Sequence, residues 1–64
     1  MTEIDQFVAF FDRMGVINKC YANEDTDVIL VSQAIFHFDK TGEYLGVEGD
    51  GMGYYTPRMR RMGP

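Results

Sequence analysis

Residues 28–38 read VILVSQAIFHF, and how this run is divided decides the fold. β-branched and aromatic residues dominate it, so it predicts the strongest strand of the chain. Taken as one strand, its faces are Val28, Leu30, Ser32, Ala34, Phe36 and Phe38 on one side, and Ile29, Val31, Gln33, Ile35 and His37 on the other. Both faces are greasy, which predicts cover on both: a helix on one, a tail or second subunit on the other.

Outward from that run, residues 3–14 read as an amphipathic helix. Ile4, Phe7, Val8, Phe11 and Met14 recur at the 3-4 spacing of a single helical face, with Phe10 beside them. Thr2 is placed to cap the N-terminus, Glu3 and Asp5 suit the positive end of the dipole, and Gly15 marks the stop. A first strand is expected over 16–22, then a solvated acidic turn, NEDTD, at 23–27. Asp39-Lys40-Thr41-Gly42 predicts a hairpin turn closed by a left-handed Gly42, leading into a strand over 43–48. The expectation is one α+β domain over 1–64: an N-terminal helix packed on a three-stranded antiparallel sheet, with a short C-terminal helical turn. That turn is read from Thr56-Pro57, a cap followed by proline at the first helical position, with Gly63 as its stop. A helix so short must dock on something to be ordered.

Charge divides the chain sharply. Residues 1–50 hold all ten Asp and Glu against Arg13, Lys19 and Lys40, a net −7, whereas GMGYYTPRMRRMGP at 51–64 is +3 with no acid. The acidic body argues against a nucleic-acid polymer as partner. The one cysteine, Cys20, allows no disulfide within the chain, and with the one histidine, His37, it cannot supply a four-ligand zinc site. An acidic start and no apolar run near the roughly 18 residues of a membrane helix predict a cytoplasmic protein with no membrane partner. Nine aromatic residues and five methionines are a heavy apolar load for 64 residues. A core of this size yields roughly 3–5 kcal/mol alone, which predicts a homo-oligomer.

Tests for chemistry mostly fail. Asn23, Asp25 and Asp27 have the spacing that opens a calcium loop, but its sixth position, a glycine, would be Val28, and its twelfth, a glutamate, would be Ala34. The glycines at 49, 51 and 53 would need another at 54 for a dinucleotide loop, where Tyr54 stands. Cys20 and His37 fall on separate predicted strands with no orienting acid, and Glu48 with Asp50 has no cleft to work in. No enzyme and no cofactor are therefore expected. The C-terminal segment survives as the candidate site. Arg58 and Arg61 lie one helical turn apart, Arg60 splays away, and Tyr54 and Tyr55 offer stacking rings. Guanidinium forks, aromatic rings and glycines suit an anionic, nucleotide-like small molecule. The same residues also suit a subunit interface.

FVAFFDRMGV followed by IFHFDKTGEYLGVE resembles a group of small uncharacterised phage and prophage proteins. The resemblance rests on Phe10, Phe11 and Gly15, then Phe36, Phe38, Asp39, Gly42, Leu45, Gly46 and Val47, and covers roughly residues 7–48. It implies a phage accessory protein acting by binding in the host cytoplasm, on a nucleotide signal or on a host protein. It brings no site residues with it.

Overall fold

The computed structural model describes residues 1–49. One helix, α1 (Glu3–Met14), is followed by β1 (Lys19–Ala22), β2 (Thr26–Val31), β3 (Ala34–Asp39) and β4 (Tyr44–Gly49). The strands form one antiparallel sheet in the order β1-β2-β3-β4, a simple meander. The expected α+β class stands, but the sheet has four strands where three were predicted. The predicted C-terminal helical turn lies outside the described residues.

The extra strand comes from the deciding run. Ser32 and Gln33 form a two-residue turn, so Val31 pairs with Ala34 and the single predicted strand folds back on itself. The common two-residue hairpin turns need positive φ and therefore advertise Gly, Asn or Asp. Among the described residues no non-glycine residue has positive φ, so this turn is built from ordinary backbone and leaves no such signature. Its effect on the faces is large. Ile29 pairs with Phe36 and Val31 with Ala34, so the helix-facing side collects Ile29, Val31, Ala34, Phe36 and Phe38. Val28, Leu30, Ile35 and His37 share the opposite face, which is not the partition expected of a continuous strand.

The first strand is also shorter than predicted. Val16 donates its N–H to Phe11 O (2.8 Å) and Gly15 donates to Asp12 O (3.1 Å), the paired bonds of a Schellman helix end. Asn18 Nδ2 then donates to Asp12 Oδ1 (3.0 Å) and Val16 O (2.9 Å), so residues 15–18 close the helix and do not join the sheet. At the other end, Thr2 and Asp5 form a capping box. Met14, expected on the apolar stripe, is 62% exposed because it ends the helix beyond the sheet's cover.

Phe7 and Phe11 carry α1 onto Ile29, Ala34, Phe36, Phe38, Tyr44 and Val47. Phe7 is the hub: its ring centroid lies 4.9 Å from Tyr44, 5.0 Å from Phe38 and 5.7 Å from Phe36. These are tilted and edge-on contacts that favour aromatic pairs. A half-buried hydrogen bond ties the layers together, Tyr44 N–H donating to Glu3 Oε1 (2.9 Å). Tyr44 faces Phe38 and Gly46 faces His37, leaving Leu45 as the extra residue of a bulge in β4.

Candidate functional site

Tyr54, Tyr55, Arg58, Arg60 and Arg61 all lie outside the described residues. Their segment follows β4, whose last residue is Gly49. At that end of the sheet the β2–β3 turn and the end of β4 border an open groove of about 470 Å³, with Leu30, Ser32, Ile35, Glu48 and Gly49 among its walls. Pockets for small ligands run from about 300 to 1,000 Å³ and are mostly apolar with a few polar groups, a description this groove meets.

Among the described residues α1 is the only helix, and it covers one face of the sheet. Across the other face the strand register aligns Lys19, Leu30, Ile35 and Glu48 in one row, and Tyr21, Val28, His37 and Gly46 in the next. His37 Nε2 lies 3.3 Å from Glu48 Oε1 on this face. That is ion-pair distance once the imidazole is protonated, although the angle does not make a hydrogen bond and Nε2 is shielded from solvent. Sequence reading missed the charged row because it exists only once the Ser32-Gln33 turn sets the register.

Most acids of the body are occupied in holding it together. Asp5 accepts from the Thr2 backbone N–H (3.1 Å) and hydroxyl (2.9 Å), which hold its carboxyl below the usual carboxylate range. Asp39 Oδ1 accepts from the Thr41 hydroxyl (2.6 Å), the Thr41 N–H (2.9 Å) and the Glu43 N–H (3.0 Å). The Thr41 hydroxyl is the main cause of its lowered pKa, with the Glu43 amide next. Asp27 pairs with Lys40 at 2.8 Å and Asn23 N–H donates to Thr26 O across the β1–β2 connection, so the stretch that mimicked a calcium loop is a tight bend and a strand start. No group of three or more His, Cys, Asp or Glu side chains among the described residues could hold a metal.

The cysteine–histidine pair weighed from sequence is not brought together. Cys20 is aligned with Ile29 and so projects on the helix side, whereas His37 is aligned with Val28 and projects on the other. Partial burial raises the Cys20 pKa, helped by the nearby Asp12 carboxylate, which makes the thiol a poor nucleophile. No helix among the described residues is long and apolar enough to cross a membrane. Compared with family models, with curated proteins and with solved structures, the chain matches none.

Proposed function

We propose that this chain is a small, non-enzymatic binding protein of phage type that works as a homo-oligomer in the host cytoplasm. It sequesters an anionic, nucleotide-like ligand with Tyr54, Tyr55, Arg58, Arg60 and Arg61. The observation that carries this reading is the groove of about 470 Å³ bordered by Gly49, the last residue of β4, which precedes the cationic segment in sequence by one residue. Its apolar walls, Leu30 and Ile35, suit a planar ring, and the arginines supply the charge for phosphate. The Glu48 carboxylate at the groove suits a base amino group and repels phosphate, so it orients the ligand with its anionic end toward the arginines. Isothermal titration against a panel of nucleotides tests the proposal. Heat with one class, lost in Arg58→Ala/Arg61→Ala, supports it; no heat with any member, or undiminished binding by that variant, refutes it.

A second reading is favoured by β1, a sheet edge on which all four residues are exposed, Tyr21 among them. There the protein antagonises a host protein, which pairs with the edge, and the C-terminal segment serves self-assembly. A stoichiometric complex with one host protein that is lost when Cys20→Pro blocks strand pairing would favour it over ligand sequestration.

A further inference from the structure

The sheet face away from α1 has a polarity that matches a second copy of itself, and this inference deepens the homo-oligomer reading above by naming its surface. Along one row the side chains run Lys19, Leu30, Ile35, Glu48: a cation at one sheet edge, two aliphatic residues in the middle, an anion at the other edge. Lys19 has no ion-pair partner among the described residues, and Glu48 keeps about half of its side-chain surface exposed beside His37. Tyr21 extends the apolar surface in the neighbouring row and is 49% exposed.

We infer that two copies pack these faces together about a two-fold axis parallel to the strands. Such an axis exchanges the two sheet edges. It places Lys19 of each protomer over Glu48 of its partner, twice, and stacks Leu30 over Ile35 in between, an isologous contact that is self-complementary. A two-fold perpendicular to the strands within the same plane would set like edges together and forfeit both pairs. Stacked sheets are skewed by about 30°, which moves a point some 7 Å from the centre by only about 4 Å, within the reach of a lysine side chain. Local pairing of this kind matters because each protomer carries a net charge of −4. Without it, self-association would bring two anionic bodies together.

Interface size sets the strength. Four strands about 4.8 Å apart and about 20 Å long offer a footprint of roughly 400 Å² per protomer, below the roughly 800 Å² per partner of standard stable interfaces. The dimer is therefore reversible and concentration-dependent. The face shares Leu30, Ile35 and Glu48 with the groove, so the proposed ligand site lies within the dimer contact and a bound ligand displaces the partner from those side chains.

Sedimentation equilibrium of the full chain over about 1–500 μM tests this. Wild type shows a monomer–dimer equilibrium, and Lys19→Glu or Glu48→Lys alone weakens it by about 10–30-fold, because each converts two attractions into two repulsions. An equimolar mixture of the two variants restores dimers, since a heterodimer regains both opposite-charge contacts; loss of folding in either variant cannot produce that rescue. A mixture no tighter than its components, or variants that dimerise like wild type, overturns the face while leaving homo-oligomerisation by another surface standing. Wild type that stays monomeric throughout, as it would if residues 51–64 of the same chain covered the face, overturns both. Titration of nucleotides into Lys19→Glu reports separately on the ligand reading: binding absent there and in wild type overturns that reading without touching the face.

Discussion

Replacing Gly42 by alanine separates two costs that the fold otherwise combines. Gly42 sits buried in the β3–β4 turn at φ +88°, donates its N–H to Asp39 O (2.9 Å) and accepts the Ile4 N–H on its carbonyl (3.0 Å). An L-residue at positive φ costs about 1–2 kcal/mol. In addition, an alanine Cβ at this point would lie 2.7 Å from Thr2 Cβ and 2.8 Å from Thr2 Oγ1. Thr2 is the helix cap, so pushing it aside also weakens the capping box, worth about 1 kcal/mol. The sum is about 2–3 kcal/mol, more than half of what a core this small supplies. Gly15 is the internal control: it too has positive φ (+75°), but nothing lies within 4 Å of its would-be Cβ. Gly15→Ala should therefore cost only the conformational term. Urea unfolding followed by far-UV circular dichroism, at one fixed protein concentration, should place Gly42→Ala about 1 kcal/mol below Gly15→Ala. Thr2→Gly clears the space and should rescue part of the Gly42→Ala loss in a double-mutant cycle. Equal losses at the two glycines, or strict additivity with Thr2→Gly, would refute the argument that the helix cap is wedged against this turn.

Other outcomes follow from the same contacts. Phe36 is fully buried between Phe7 and Phe11 (centroids 5.7 and 5.2 Å), so Phe36→Ala should cost about 3–5 kcal/mol and leave the chain largely unfolded at 25 °C, whereas Phe36→Leu should keep a cooperative transition. Asp5 and Asp39 have folded-state pKa values below the unfolded value of about 3.9. Their contribution is complete above that value and is lost as pH falls through the lower folded values; a pH series of urea midpoints should show an acid limb that Asp39→Asn flattens. Cys20, its pKa raised first by partial burial and then by Asp12, should alkylate with iodoacetamide more slowly at pH 8 than a free thiol, and faster in Asp12→Asn.

Where the chain advertises its local structure, sequence and structure agree closely. The helix bounds follow from a cap, an apolar stripe and a terminal glycine, all of which act within one turn of the residues that carry them. The β3–β4 turn likewise announces itself through Asp39, whose carboxylate gathers the Thr41 and Glu43 donors, and Gly42, which takes the left-handed bend. The β2–β3 turn differs because nothing in Ser32-Gln33 forbids a strand. It is forced by packing: an eleven-residue strand would leave the core face holding Val28, Leu30 and Ser32 where the folded chain puts Ile29 and Val31. Folding back lets both halves of the run place large side chains on the same helix. That gain is spread over distant residues and is invisible to a local reading.

The same turn decides how the candidate site is understood. From sequence, function gathers in the arginines and tyrosines of 51–64 because charge segregation is a property of composition. The groove beside Gly49 and the row from Lys19 to Glu48 are properties of register, since they join residues twenty-nine positions apart that only a four-stranded meander aligns. Register also explains why the body's acids are poor evidence of chemistry. Asp5, Asp27, Asp39 and Glu3 each satisfy a donor or a cation at a specific joint of the fold. Lys19 and Glu48 stand apart: both sit on the sheet face away from the helix, at opposite edges, where a charge adds nothing to the aromatic core. A sheet that needed only one covered face would gain solubility from polar residues across its centre there, yet half-buried Leu30 and Ile35 occupy that centre beside Val28, which is itself buried. Aliphatic residues in the middle with opposite charges at the rims are what the proposed pairing of two chains uses, and because Leu30, Ile35 and Glu48 also line the groove, that pairing and the proposed ligand site draw on the same side chains.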